Sequence, residues 1–337
     1  MGTDTVSITE WARSHVPGFT ETVDMSKIPG GQSNPTYRLE TRNGLYVLRS
    51  KPPGALLKSA HAVDREFRVQ KALANTDVPV AGVHGLCEDA TVFGTDFYIM
   101  DHVDGRIFDR PSLPELAVSE RAAFIDEMNR VLAEIHKVDI ESAGLGNFGP
   151  PGHYCKRQTD RWTKQYRASQ TDELPDMDEL ISWLDSNMPA DDGLRGLVHG
   201  DYRMDNLIFA SDRPEIIAVL DWELSTIGHP FADLASVIMQ WSMPATSDGR
   251  GLAGVNRAKT GLWSDQQFID TYCMRMDLPG IGNFNFYLAF CFFRMAAILQ
   301  GVKKRALDGN ASDPKRALQL GAHVPDFARA GLEAAGG

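Results

Sequence analysis

Cysteine, basic charge and long apolar runs are all scarce in this 337-residue sequence, and each shortage excludes a class of protein. There are four cysteines and no C-x-x-C pair, so neither a disulfide framework nor a zinc site with two spaced pairs is expected. We expect free thiols in a reducing compartment. Apolar residues make up 43% and charged residues 23% of the chain, which is typical of a globular protein.

The shortage of basic residues argues against a nucleic-acid partner. The chain carries 45 acidic and 34 basic residues, a formal net charge of −11, whereas proteins that bind nucleic acid usually have a basic patch. The densest basic cluster, Lys303-Lys304-Arg305, is too short to bind a nucleic-acid backbone tightly. An acidic protein can still bind an anionic substrate where Arg, Lys, a metal or a helix N-terminus supplies local positive charge.

The longest apolar stretch also argues against a membrane protein. Residues 284–299 are interrupted by Asn285 and Arg294, and they fall short of the roughly 20 residues that a membrane span needs. We expect a buried helix there. The N-terminus is polar and lacks the apolar segment of a secretory signal. The expectation is a soluble, cytoplasmic protein, and the sequence leaves its oligomeric state open.

The first third of the chain has the pattern of a small antiparallel sheet. Residues 34–42 and 44–50 alternate and meet at Asn43-Gly44, a strong signal for a hairpin. Ser7-Ile-Thr-Glu10 fits a capping box that opens a short helix. The remaining elements predicted in this part are a helix over 57–74 and strands over 82–87 and 95–101.

From residue 116 the pattern is mainly helical. Apolar runs at 207–209 and 216–220 predict one hairpin, and residues 333–337 are expected to fray. We therefore predict an α+β, bilobal protein with an N-lobe over 1–103, a helical C-lobe over 104–337 and a ligand site in the cleft between them. The helices predicted are 117–138, 157–169, 177–188, 230–242, 264–275, 283–306 and 313–321.

One polar segment carries the set of residues that phosphoryl transfer requires. Residues 197–209 read LVHGDYRMDNLIF, and Asp221 ends a strand fifteen residues after Asn206. One carboxylate must accept or orient the hydroxyl proton, while an amide and a second carboxylate hold Mg²⁺ against the phosphates. We assign Asp201 as the general base and Asn206 and Asp221 as the metal ligands. His199 is expected to brace the loop. A lone D-x-x-x-x-N also fits an ordinary turn, but the full pattern is far more specific.

This segment resembles the catalytic core of the aminoglycoside phosphotransferase and choline-kinase-like family, which shares the protein-kinase fold. The stretches 219–228 (VLDWELSTIG), 30–36 (GGQSNPT) and 59–66 (SAHAVDRE) are similar to a branch whose members also occur fused to acyl-CoA dehydrogenase domains. The resemblance spans roughly residues 25–300. It implies transfer of a phosphoryl group from ATP, with Mg²⁺, to the hydroxyl group of a small molecule.

The resemblance also implies roles for residues outside the motif. Arg49 stands where the family has the Lys that grips the α- and β-phosphates, with Lys51 as the alternative, and Glu66 is its implied ion-pair partner. Arg can hold phosphate bidentately, so the role can survive the exchange. Arg203 resembles the kinase Lys that neutralises the transferring phosphate. The other implied nucleotide-binding residues are Gly30, Gly31, Ser33 and Asn34 in a phosphate-covering turn, and Asp101 and Val103 at the hinge, where backbone groups would bond to adenine.

Three functions stay open at this stage. A small-molecule kinase fits the intact set of Asp201, Asn206 and Asp221, and the dehydrogenase-fused branch favours a hydroxyacyl thioester or related alcohol as the acceptor. The acidic charge also permits an aminoglycoside-type antibiotic kinase. Arg49 in place of Lys would suit a nucleotide-binding pseudokinase. A protein kinase is disfavoured, because the sequence has no H-R-D, D-F-G or A-P-E motif. For Glu223, three roles are equally expected: facing the metal, facing the substrate, or capping a turn.

Overall fold

The structure is a computed structural model, and it describes residues 5–29, 34–52, 62–245, 250–311 and 313–336. Five antiparallel strands form a sheet in the order β1-β2-β3-β5-β4 in the first third of the chain. The strands are β1 (Thr22–Lys27), β2 (Thr36–Thr41), β3 (Gly44–Ser50), β4 (Val83–Cys87) and β5 (Phe97–Asp101). The helices of this part are α1 (Thr5–His15), α2 (Val63–Leu73) and α3 (Ala90–Phe93).

Alternation along β3 and β5 buries both faces of this sheet. Leu48 and Ile99 point to the face that α1 covers, while Val47 and Met100 belong to a second cluster that includes Val63 of α2. The predicted hairpin of β2 and β3 is confirmed, with a slightly different turn. Thr41 pairs with Gly44, so the two loop residues are Arg42 and Asn43.

The rest of the chain is mainly helical, as predicted, and its apolar residues form one large core. The 24-residue helix α10 lies at the centre of this part and packs against α5, α6, α7, α11 and α12. The helices are α4 (Val118–Lys137), α5 (Tyr154–Ser169), α6 (Pro175–Ser186), α7 (Phe231–Trp241), α8 (Arg257–Thr260), α9 (Asp265–Arg275), α10 (Phe284–Leu307), α11 (Pro314–Gly321) and α12 (Val324–Gly336). The α+β class is therefore confirmed, while the division at residue 103 stays a prediction.

Two short antiparallel ribbons lie among these helices and carry the residues of interest. Strand β6 (Gly196–Val198) pairs with β9 (Thr226–Gly228), and β7 (Leu207–Phe209) pairs with β8 (Ile216–Val219). The second ribbon is the predicted hairpin. The segment between β6 and β7 holds most of the predicted motif, and Asp221 follows β8 directly.

The prediction of a buried helix at residues 284–299 is confirmed. Helix α10 is longer than that stretch, and it is long and apolar enough to cross a membrane by length and composition. However, 67% of its most apolar window is buried inside the structure, which is the behaviour of a core helix.

Two local predictions are wrong. Helix α1 already begins at Thr5, so Ser7 lies inside the helix and does not cap it. Residues 333–336, which were expected to fray, form the last turn of α12, where Ala328 and Gly331 are buried against the core. The predicted helix over 57–74 is observed from Val63 to Leu73, and residues 57–61 lie outside the described part of the chain.

Candidate active site

Hydrogen bonds to a buried carboxylate hold the loop after β6 in place. Asp233, in the first turn of α7, accepts hydrogen bonds from the backbone N–H of His199 at 2.6 Å and of Gly200 at 2.8 Å. Gly200 has φ +86°, and a Cβ there would come within 2.7 Å of the Leu224 carbonyl oxygen, so glycine is required. The loop is thereby held in one conformation at the position where Asp201 follows.

His199 connects the two ends of the motif. Its buried ring donates from Nε2 to the carbonyl of Leu220 at 2.9 Å and accepts the Asp201 N–H at Nδ1, at 3.2 Å. Burial lowers the pKa of His199, which favours the neutral ring that this pair of bonds needs. The ring therefore fixes the spacing between Asp201 and Asp221, the residue after Leu220.

Asp201 is a partly buried carboxylate between two cations. Arg203 lies 3.3 Å from it, Nε to Oδ2, and Arg294 of α10 donates from Nη2 to the neighbouring Gly200 carbonyl at 2.7 Å. Burial raises the pKa of Asp201 to about 6, against the opposing charges of Arg203 and Arg294. A carboxylate with this pKa is ionised at neutral pH and can accept a proton.

The hairpin brings the two predicted metal ligands together. Asn206 directly precedes β7, and its carbonyl accepts the N–H of Leu220 at 2.8 Å, so Asp221 lies beside it in space. The Asn206 amide donates from Nδ2 to the backbone carbonyl of Asp201 at 2.9 Å. Because this bond uses the amide nitrogen, the amide oxygen Oδ1 points away from the Asp201 carbonyl. Asp221 has φ +65°, a left-handed conformation that turns its carboxylate out of the strand direction.

Asp221 belongs to a group of three carboxylates with Glu66 and Glu223. One oxygen atom from each lies within 4.8 Å of the others. Arg49 crosses from β3 and pairs with Glu66 at 2.7 Å and Asp221 at 2.5 Å. The Asn34 amide donates to Glu66 at 2.5 Å and to Glu223 at 3.5 Å. Residues far apart in sequence thus converge on one acidic site.

The electrostatics of this site follow from its burial. The Glu66 side chain is 1% exposed, and burial raises its pKa to about 7, with Arg49 acting in the opposite direction. Burial alone would lower the pKa of Arg49, but the negative charges around it, Glu66 foremost, raise it above its ordinary value. One guanidinium faces three carboxylates here, so the site keeps an excess of negative charge.

The residues present fit a divalent cation. Asp221, Glu223 and the Asn206 amide offer the hard oxygen donors that Mg²⁺ prefers, and Mg²⁺ also needs room for phosphate and water ligands. The side chain of Asp221 is 29% exposed, so it remains accessible from the cleft. The surplus of carboxylates over cations favours a divalent ion at the same place.

The other predicted nucleotide-binding residues differ in what the structure shows. Lys51 pairs with Asp96 at 2.5 Å, away from the three carboxylates, so Arg49 is the cation that reaches them from β3. Asp101 ends β5 and its side chain accepts from His84, while Val103 packs against the apolar cluster of Val47. The backbone contacts predicted at this hinge stay predictions. Gly30, Gly31 and Ser33 lie outside the described residues.

Sequence reasoning missed one residue of the site. Arg294 was treated as an interruption of an apolar stretch, yet it reaches the catalytic loop. A single Arg within the otherwise uncharged first nineteen residues of this helix was the available signal.

With this geometry in place, comparison with known proteins identifies the family. The sequence model of the phosphotransferase enzyme family matches residues 24–264, well over half of the chain. The chain belongs to this family. The predicted enzyme class, a phosphotransferase with an alcohol group as acceptor, is confirmed.

Curated relatives are similar to this chain over only part of their own length. Acyl-CoA dehydrogenase family member 10 of Mus musculus is 48% identical over 294 residues, which is 87% of this chain and 27% of the relative. Acyl-CoA dehydrogenase family member 11 of Homo sapiens is 42% identical over 316 residues, or 92% of this chain and 40% of the relative. The chain thus spans less than half the length of these relatives.

Solved structures confirm the predicted kinase-like fold. A crystal structure of an aminoglycoside phosphotransferase candidate from Ralstonia eutropha JMP134 is 46% identical, with a TM-score of 0.91 over 99% of this chain and 98% of that one. An aminoglycoside phosphotransferase in ternary complex with AMP-PNP and hygromycin B gives a TM-score of 0.63 over 98% of each chain, at 16% identity. At that identity the likeness concerns the fold alone.

Proposed function

We propose that this chain is an ATP- and Mg²⁺-dependent kinase that transfers the γ-phosphoryl group to a hydroxyl group of a small molecule. The observation that carries the proposal is the convergence of Asp201, Asn206 and Asp221 beside the Arg49–Glu66 ion pair. Phosphoryl transfer depends mainly on positioning and on electrostatic stabilisation, and this arrangement offers both.

Each residue has a defined part in the proposed reaction. The acceptor oxygen forms a bond to the γ-phosphorus while the bond to the β,γ-bridging oxygen breaks, and ADP leaves with that electron pair. Asp201 orients the acceptor hydroxyl and takes its proton. Asn206 and Asp221 would hold Mg²⁺, whose chemistry is to neutralise phosphate charge. Arg49 and Arg203 would stabilise negative charge on the phosphates.

The acceptor is proposed as a hydroxyacyl thioester or a related alcohol. Support comes from the relatives, which are named as acyl-CoA dehydrogenases and which this chain matches over less than half of their length. A kinase beside a dehydrogenase would act on molecules that the same protein processes. An antibiotic acceptor is the competing candidate, because structures with hygromycin B and spectinomycin share the fold.

The proposal is tested first by nucleotide binding. MgATP should raise the melting temperature of the purified protein, and ATP with EDTA should raise it less, because a ligand that binds only the folded state stabilises by mass action. The absence of a shift at millimolar MgATP would contradict the kinase assignment.

Turnover is the second test, and it separates the kinase from a pseudokinase. The protein is incubated with γ-labelled ATP and matched acceptors: a hydroxyacyl-CoA, the acyl-CoA that lacks its hydroxyl, and an aminoglycoside. Label should pass to the hydroxylated thioester alone, and Asp201→Asn should reduce the transfer. MgATP binding with no transfer to any member of a broad metabolite extract would favour the pseudokinase.

A further inference from the structure

Arg294 is an unusual residue for its helix. It is the single charged residue in the first nineteen positions of α10, where its neighbours Phe293 and Ala296 are fully buried. Its guanidinium lies against the catalytic loop, with the Nη2 donating to the Gly200 carbonyl at 2.7 Å. A core helix thus presents one cation to the residue that precedes the proposed base.

This cation interacts with the charge of Asp201 at longer range but forms no ion pair within the described part of the chain. No carboxylate oxygen there lies within 4.0 Å of an Arg294 nitrogen, the distance that defines an ion pair. By contrast, Arg49 and Arg203 each pair with two carboxylates. A partly buried charge is costly unless it is paired or hydrogen-bonded, and one carbonyl bond uses only a part of the five N–H donors of a guanidinium. The remaining donors suit an oxyanion.

A cavity beside the β6–β9 ribbon is lined by three cations. It has a volume of about 530 Å³ and lies at the end of the ribbon that is farther from the loop. Lys156 pairs with Asp160 and Arg195 pairs with Glu141, whereas Arg157 donates to the backbone carbonyls of Pro150 and Pro151 and forms no ion pair with a described residue. An unpaired cation in a cavity of an acidic protein provides local positive charge for an anionic ligand.

Helix α10 connects the two features. Tyr287 of this helix lines the cavity together with Tyr154, at the start of α5. Arg294 follows Tyr287 by seven residues, which is two helical turns along the same face of α10. The cavity and the guanidinium therefore lie along one face of the helix.

We propose that Arg294 binds an acidic group of the acceptor, so that the preferred acceptor is an anionic alcohol and not a polycation. The inference rests on the proposed function and narrows its substrate class. The shared chemistry is an oxyanion, which either a carboxylate or a phosphate of the acceptor can supply. The guanidinium fork matches both geometries bidentately, and Lys does so less well.

Binding measurements test the inference without requiring turnover. Dissociation constants are measured in saturating Mg·AMP-PNP for a chain-length series of hydroxy acids, their CoA thioesters and their uncharged N-acetylcysteamine thioesters. The wild type should bind an anionic member about ten- to a hundredfold more tightly than its uncharged partner, the range expected for charge-assisted hydrogen bonds. Preference for the free acid identifies a carboxylate ligand, and preference for the CoA thioester identifies phosphate.

Substitutions assign the preference to Arg294. Arg294→Gln should abolish it, and Arg294→Lys should retain a part. Arg305→Gln is the matched control, because it removes the same charge from an exposed position of the same helix. If Arg294 only braced the Gly200 carbonyl, Arg294→Gln would weaken all three ligand classes equally. That result would overturn the inference.

If Arg294→Gln fails to fold, the wild-type measurement alone can still refute the inference, and Arg294→Lys tests whether the preference depends on this residue. The inference is wrong if no anionic member of the series binds more tightly than its uncharged partner, or if hygromycin B binds best. Transfer from γ-labelled ATP is measured on the same ligands. Anion preference without transfer would refute the proposed function alone, and transfer without anion preference would refute the inference alone.

Discussion

Replacing Asp233 should destabilise the protein and disable the catalytic loop together. Its carboxylate is 1% exposed and accepts the N–H groups of His199 and Gly200, with His136 Nε2 at 3.4 Å. Asp233→Ala leaves two buried N–H donors without an acceptor. Asp233→Asn keeps one acceptor oxygen but turns an NH₂ group towards the second donor.

The magnitude follows from counting those donors. A buried donor that loses its acceptor costs about 1–3 kcal/mol, so Asp233→Ala should lower the free energy of unfolding by about 4 kcal/mol and Asp233→Asn by about 2 kcal/mol. Melting temperatures shift by about 2 °C per kcal/mol in chains of a few hundred residues. The expected decreases are therefore about 8 °C and about 4 °C.

The effect should depend on pH in a defined direction. Burial opposes ionisation of Asp233, but the hydrogen bonds that it accepts from the His136 ring and from the Gly200 N–H outweigh burial and hold its pKa below the ordinary value. A lowered carboxylate pKa stabilises the folded state above the ordinary value of 3.8, and the contribution is lost as the pH falls through the folded-state pKa. The gap between wild type and Asp233→Asn should be constant near neutrality and shrink below about pH 4.

Thermal unfolding of the variants between acid and neutral pH measures both predictions. Asp185→Asn, on the exposed face of α6, is the control for loss of one carboxylate. Transfer should fall more than MgATP affinity, because the loop that Asp233 holds carries the proposed base, Asp201, and not Arg49, the proposed phosphate ligand. Melting curves of Asp233→Ala that coincide with those of Asp185→Asn would refute the anchoring argument.

Three further substitutions test the assigned roles. Asp221→Asn should abolish transfer and remove the Mg²⁺ dependence of nucleotide binding, since a hard cation loses a charged oxygen; transfer within about tenfold of wild type would contradict this ligand assignment. Asp201→Asn should leave MgATP affinity nearly unchanged and lower kcat by about 10²–10⁴; unchanged kcat would point to Glu223 as the group that orients the acceptor. Arg49→Met should lower stability by about 3–5 kcal/mol, because Glu66 stays buried without its cation, while Arg49→Lys should restore most of that loss; equal unfolding curves for both variants would refute it.

Long periodic elements could be predicted from the sequence to within a few residues. Helix α4 was expected over 117–138 and runs from Val118 to Lys137, because its apolar residues repeat with the helical period over five turns. The β7–β8 hairpin was found because both strands are short, wholly apolar runs separated by polar residues. In such segments the local pattern and the tertiary structure agree.

Four of the missed elements lack that local signal. Strand β1 (TVDMSK) is an edge strand with no buried residue, and it is held by backbone pairing with β2. Strands β6 and β9 have three residues each, which is too short for any periodicity to show. Helix α12 is rich in Ala and Gly, and its stability comes from packing on α10 and α6. The formation of all four depends on tertiary contacts, which the sequence pattern does not reveal.

The candidate site divides in the same way, and the division bears on specificity. Asp201, Asn206 and Asp221 lie within one motif and its hairpin, so their spacing was sufficient to group them. Arg49 and Arg294 reach the site from β3 and α10, and only the fold shows what each one meets. On the nucleotide side, Arg49 is neutralised by carboxylates of the protein itself, which leaves that side suited to a metal ion. At the catalytic loop, Arg294 donates to the Gly200 carbonyl and forms no ion pair with a described residue. In our proposal, an acidic group of the acceptor binds the donors of Arg294 that remain.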